Sequence, residues 1–177
     1  MFALTAALAL ATTLTLTACE DPATLTDTRD KKTYKTIKIG EQVWMAENLN
    51  YEAKEGSKCD DDNPANCKKN GRLYEWETAK KVCPSGWHLP SNVEWNKLMN
   101  FAGGDKAAEK LKAKSWNGVD AFGFSALSGG SNWWSSSEEG GYDYNYNYDG
   151  FIFYSGEQAY NEEYTESYFN YVRCIKD

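Results

Sequence analysis

The sequence predicts an α+β domain. Two stretches with apolar residues at helical spacing lie in its first half, and period-two alternation marks both Thr33–Asn48 and the last third of the chain. Tyr34, Ile37 and Ile39, then Val43 and Met45, flank Gly40-Glu41 and predict a β-hairpin. Tyr51 to Asn70 reads as a polar loop enclosing CDDDNPANC. Leu73 to Val82 predicts a short helix with Trp76, Ala79 and Val82 on one face. Ser91 and Glu94 form a capping-box pair that starts a helix after Pro90. Trp95, Leu98, Met99 and Ala102 give that helix its apolar face, and Gly103-Gly104 ends it. Asp105 to Lys114 predicts a further short helix, mostly exposed. Beyond Asp120, glycines, serines and aromatics suggest short strands and tight loops. Tyr142 to Tyr154, YDYNYNYDGFIFY, alternates around Asp149-Gly150 and predicts a hairpin with one aromatic face. The final YFNYVRCIKD predicts a closing strand carrying Cys174.

Chain length, 177 residues, suits one well-buried domain. A formal charge of −7 argues against an electrostatic grip on nucleic acid or anionic lipid. The charge is divided: no Lys or Arg lies between Lys114 and Arg173, where nine Asp or Glu and nine of the twelve tyrosines fall. Mean hydropathy is −0.70 although aromatics make up 15% of residues, which points away from a membrane-embedded protein. Residues 1–18 are uncharged and almost all Ala, Leu and Thr, and Leu16-Thr17-Ala18-Cys19 follows the pattern of a lipobox. We read residues 1–18 as a signal peptide, 19–32 as a lipidated Cys19 with a polar tether, and 33–177 as the domain. An uncleaved anchor is the alternative, but five threonines in eighteen residues make a poor span. Five cysteines become an even set once Cys19 carries lipid. Cys59, Cys67, Cys83 and Cys174 then suit two disulfides in an oxidising compartment, and the short spacing lets Cys59 and Cys67 close on each other. The expected location is the bacterial cell envelope, lipid-anchored and facing the periplasm or the surface.

The run YEWETAKKVCPSGWHLPSNVEWNKLM resembles the segment joining the two helices of the C-type lectin fold, through Trp76, Ala79, Cys83, Gly86, Leu89 and Glu94. HLPSNVEW is also similar to the corresponding stretch of formylglycine-generating enzymes. A more particular resemblance covers nearly the whole chain. TLTDTRDKKTYKTIKIGEQVWMAENLNY, GRLYEW, CPSGWHLPSNVEW, FGFSAL, WWSSSE and VRCIKD, in that order from Thr24 to Asp177, resemble the Fibrobacter succinogenes major paralogous domain. An insert that many members carry before CPSGWHLP is missing. The resemblance implies a C-type-lectin-like fold in which Cys83 pairs with Cys174; it implies no activity.

His88, the only histidine, sits at the start of a capped helix, where a structural role is expected: donation to a backbone carbonyl and packing beside Trp87. Without a second histidine no Ser-His or Cys-His pair can be built elsewhere. Formylglycine chemistry needs a cysteine pair near the end of the domain, where Cys174 stands alone. Glu138-Glu139 and Glu162-Glu163 read as solvated loop charges. No enzyme activity and no cofactor are therefore expected. The Glu-Pro-Asn, Gln-Pro-Asp and Trp-Asn-Asp motifs of calcium-dependent lectins are missing. Asp60, Asp61 and Asp62 offer hard oxygens as a weak calcium candidate, equally well explained as a hydrophilic loop tip. Trp133 and Trp134 point opposite ways on a strand, so one is expected to be exposed. Tyr142, Tyr144, Tyr146 and Tyr148 share one face; buried they would be core, exposed they would form a platform for a sugar ring, with Asn145, Asn147 and Asp149 beside it. The function expected is a non-catalytic, calcium-independent binding or adhesion module for a glycan or a surface protein, held at the membrane by its lipid. A structural surface protein with no discrete ligand is the alternative.

Overall fold

Residues 23–130, 132–139, 147–153, 159–164 and 168–177 are described by the computed structural model of the protein. Alternation in the first block becomes strand β2 (Thr33–Ile39), with Tyr34, Thr36 and Ile39 buried and Lys35 and Lys38 exposed. Gly40 turns the chain at φ +62° into β3 (Gln42–Met45), and Ile37 faces Trp44 across the ladder. Part of the segment expected to be a tether is ordered, because β1 (Thr24–Thr26) pairs antiparallel with β2. Asp27 behind it is buried and grips Arg29 through both carboxylate oxygens, and Arg29 Nη2 reaches Val82 O at 2.7 Å. That carboxyl loses solvation, which works against its charge, but the hydrogen bonds to Arg29 outweigh this and lower its pKa.

The segment expected to be a loop up to Asn70 holds two ordered turns. After β4 (Ser57–Lys58) a single 3-10 turn spans Asp60–Asp62, and helix α1 covers Pro64–Asn70. Asn63 caps it by accepting from Ala65 N, and Pro64 fills the first turn, where no backbone donor is needed. Only Cys67 and Asn70 of this helix are buried, so no apolar stripe announces it. Next come β5 (Leu73–Tyr74), α2 (Trp76–Val82), β6 (Trp87–His88) and α3 (Asn92–Ala102). Both halves of the capping box are made in α3, and Gly103 closes it in the left-handed region at φ +117°. Helix α4 (Ala107–Leu111) is less exposed than its charges suggest: Ala107, Ala108 and Leu111 are fully buried, while Glu109 and Lys110 mark the outer side.

The second half supplies β7 (Asn132–Glu139), β8 (Asn147–Phe153), β9 (Ala159–Tyr164), β10 (Asn170–Tyr171) and β11 (Ile175–Lys176). One sheet runs β1-β2-β3-β11-β6, the other β4-β5-β10-β7-β8-β9. The result is an α+β fold with four α-helices among the described residues. Asp149-Gly150 is not the hairpin turn its sequence suggests; both residues lie inside β8, paired with β9. The glycine answers an irregularity instead. Trp134 pairs with Gly150 and Glu138 with Tyr148, so Ser135, Ser136 and Ser137 bulge opposite Asp149 alone. The bulge docks the helices. Ser135 O accepts from Trp76 Nε1, Ser136 N donates to Pro90 O, and Ser137 Oγ accepts from Asn92 N at the start of α3.

The expected closing strand is split between the sheets. Residues 170–171 join the second sheet and 175–176 the first, and the residues between them lie in the partition separating two hydrophobic clusters. Tyr171 and Ile175 face a cluster built on Trp44, Trp95, Phe124 and Trp133. Val172 and Cys174 face the other, built on Met45, Tyr74, Trp76 and Trp134. Cys174 is bonded to Cys83, 91 residues away, and Cys59 to Cys67. Trp95 packs 4.8 Å from Trp44 and 5.7 Å from Trp133, centroid to centroid.

Candidate functional site

The imidazole of His88 is wholly engaged. Nδ1 lies 2.7 Å from Asp177 Oδ1 and Nε2 lies 2.8 Å from Glu94 Oε1, so carboxylates take the place of the expected backbone carbonyl. Glu94 is held from the other side, because its Oε2 accepts from Ser91 N and Oγ. The reason is positional: β6 pairs with β11, which sets His88 opposite Ile175 with Asp177 two residues on. Partial desolvation works against a charged His88, but the hydrogen bonds to Asp177 and Glu94 outweigh it and raise its pKa. The contribution to stability is therefore complete below the unfolded value of about 6.5 and disappears as pH rises through the folded pKa. The side chain is 41% exposed, so screening keeps the effect under about 1 kcal/mol. Urea midpoints should fall modestly as pH rises above about 6.5, and His88→Gln should flatten that slope. An identical slope in the variant would contradict this reading.

A different cluster faces open space. Asn48 is buried and makes four hydrogen bonds: Oδ1 accepts from Trp133 Nε1 (2.8 Å) and Arg173 Nε (3.1 Å), and Nδ2 donates to Asn70 O and Gly130 O (both 2.8 Å). Glycine is required over it: a Cβ on Gly130 would stand 2.7 Å from Asn48 Nδ2, and one on Gly71, already at φ +86°, 2.7 Å from Asn48 Cβ. Arg173 is 1% exposed. Its guanidinium donates to Asn48 and to Phe124 O and lies 4.3 Å over the Phe124 ring and 5.1 Å from that of Trp133. Burial lowers its pKa to about 9, with Glu47 and Asp120 pulling the other way, so it is still a cation at neutral pH.

Above this floor opens a cleft of about 470 Å³. Lys32 and Lys35 line one side, Lys68, Lys69 and Asn70 at the end of α1 another, with Glu47 and Ser125 between them. Lys32 is engaged with Asp30 and with Asn50 O. Asn70 is 7% exposed, and its side chain is enclosed beside the Tyr171 hydroxyl. The cleft can therefore offer cationic donors.

Neither Trp133 nor Trp134, expected to help form a binding face, lines the cleft. Trp133 and Trp134 do point opposite ways, but both are fully buried, because β7 is an inner strand with a hydrophobic cluster on each side. Their indole nitrogens bind Asn48 and Tyr74 O, so neither ring offers a stacking surface. Asn147, Tyr148 and Asp149 lie on β8, where only the backbone is described. Tyr144, Asn145, Tyr146 and Cys19 lie outside the described residues. Asp60, Asp61 and Asp62 form the 3-10 turn, and among the described residues no group of three or more His, Cys, Asp or Glu could hold a metal ion. No described helix is long and apolar enough to cross a membrane.

Sequence reasoning missed Asn48, Asn70 and Arg173. One signal was present: Arg173 shares the alternation of Tyr171 and Ile175, which places a charge in a core register. The model of the Fibrobacter succinogenes major domain matches residues 37–176. No curated protein and no solved structure matches the chain.

Proposed function

The chain belongs to the Fibrobacter succinogenes major domain family, and from that premise we propose that it is a non-catalytic binding module of the bacterial cell envelope, exported and lipid-anchored through Cys19. The observation that carries the reading is the open cleft over Arg173 and Asn48, on a scaffold that has already engaged its usual chemical groups. Cys59, Cys67, Cys83 and Cys174 are joined in disulfides, and both ring nitrogens of His88 are held by carboxylates. Disulfides of this kind are consistent with an extracytoplasmic protein. The two disulfides, the helix pair and the terminal β segment also support a C-type-lectin-like reading of the architecture. Without the calcium motifs of such lectins in the sequence, binding is proposed to need no calcium.

The partner proposed is a glycan, met at the cleft rather than on Trp133 or Trp134. Immobilised plant and bacterial polysaccharides should retain the purified domain, and Lys68→Ala with Lys69→Ala should release it at unchanged melting temperature. Retention by none of them would favour a structural surface protein without a discrete ligand. Retention unaffected by the lysine changes but lost on Tyr146→Ala would move the site to the aromatic sector.

A further inference from the structure

Phe101, in the last turn of α3, leaves 56% of its surface exposed. Its ring lies over the β2–β3 turn: a Cβ on Gly40 would stand 3.0 Å from Phe101 Cδ2, and Phe122 packs beside it at 5.7 Å, centroid to centroid. The ring borders a broad depression of about 760 Å³, which Val43 also lines. Of the charged residues there, Glu94 and Asp177 are held by His88, and Glu41 is the remaining carboxylate. Lys97 and Lys176 are exposed and form no ion pair among the described residues. An exposed ring names no partner by itself.

The path of the chain names one. β1 runs antiparallel to β2, with Thr24 opposite Lys35 and Thr26 opposite Thr33, and Thr36 N donates to Ala23 O at 2.8 Å. The chain therefore enters the described fold travelling away from Gly40, towards the open end of the hairpin. Four peptide steps separate Ala23 from Cys19, and four steps along β2 from Thr36 end at Gly40. A link of that length reaches about 14 Å at most. A lipid on Cys19 thus brings a bilayer close to the domain on the side from which the chain arrives. That is the side of the turn and Phe101. The cleft is lined by residues 32–35 and 46–48 at the other end of the hairpin, and to face it the link would have to double back within three residues.

Resting on the Cys19 anchor proposed above, we propose that the β2–β3 turn and Phe101 lie against the bilayer that holds the lipid. Phe101 and Val43 enter the interfacial layer, while Lys97 and Lys176 lay their stems along it and keep their ammonium groups among the headgroups. The contact is apolar, in keeping with a formal charge of −7, and the lipid supplies the local concentration that one ring cannot. The hairpin then works as a spacer. Lys35 lies five residues from Gly40, about 16 Å along the strand, so the cleft is held away from the membrane and open to a partner.

The test uses the full chain, expressed with its own signal segment in a bacterial host and reconstituted in phosphatidylcholine nanodiscs carrying a gadolinium-chelate lipid. Mass spectrometry of the same sample reads the lipid on Cys19. Amide relaxation enhancement should be severalfold larger at residues 38–43 and 99–104 than at 46–50 and 67–71, and adding phosphatidylglycerol should leave that order unchanged. Phe101→Ser should lower the enhancement at the turn at least twofold; should this variant unfold, the wild-type pattern decides alone. A Cys19 without lipid would overturn the anchor and the docked face with it. A lipidated protein enhanced equally at both ends, or more at the cleft, would overturn the docked face and leave the anchor standing. An unchanged pattern in a folded Phe101→Ser protein, or a pattern seen only with phosphatidylglycerol, would overturn the apolar contact. Two copies per disc, joined through the turn and separated by Phe101→Ser, would give the face to a second copy of the chain instead.

Discussion

Replacing both Cys83 and Cys174 by alanine should lower unfolding stability by about 4–5 kcal/mol, the loop-closure value for a bridge spanning 91 residues. The bridge ties the end of α2 to the segment that separates the two clusters, and Cys174 itself is fully buried beside Val172. Losing it frees the last eight residues from the helices, so both sheets should weaken together. The local Cys59–Cys67 bridge, separated by only 8 residues, should be worth about 2–3 kcal/mol on the same argument. Urea unfolding of the two double variants provides the comparison. Equal losses, or a wild-type midpoint without the long bridge, would contradict the role given to the terminal segment.

Asn48→Ala should be the most damaging single polar substitution, with a loss on the order of 4 kcal/mol. Four buried groups would lose their partner at once: Trp133 Nε1, Arg173 Nε, Asn70 O and Gly130 O. Trp133 is fully buried and Arg173 nearly so. Asn48→Asp separates the two halves of the effect. It keeps an acceptor for Trp133 and adds a charge partner for Arg173, but it turns a carboxylate oxygen on the two carbonyls that Nδ2 now donates to. Its loss should therefore remain comparable to that of alanine, and a near-wild-type Asp variant would show that the carbonyls do not depend on Asn48. A variant with alanine at position 48 that unfolds within about 1 kcal/mol of wild type would mean that the glycines and Arg173 are held by other contacts.

These positions also show what the sequence made legible. Helix α3 is readable to the residue, because Ser91, Glu94, Gly103 and the spacing of Trp95, Leu98 and Ala102 all agree. The β2–β3 hairpin is readable for the same reason. Helix α1 is not, because it buries only Cys67 and Asn70 and its signal is reduced to the Asn63-Pro64 cap. Asp149-Gly150 misleads because the dipeptide that favours a turn also suits a strand opposite a bulge, and only the pairing partner decides between them. Trp133-Trp134 misleads differently. Alternation reports that two neighbours face opposite sides, but whether a second cluster covers the far side depends on residues 172–174, forty positions away. The cleft was hidden for that reason too: its walls come from β2, α1, the 123–127 loop and Arg173, which no local pattern brings together.

Ligand should meet this protein at the cationic cleft. Assigned side-chain and backbone NMR signals, followed while an oligosaccharide from a retained polysaccharide is added, decide this. Perturbations should centre on the Asn70 side-chain amide, Arg173 Nε–H, and the backbone of residues 33–35, 46–48 and 67–71, with residues 147–153 and 159–164 unchanged. Saturable shifts confined to those two strands, with the cleft silent, would contradict it.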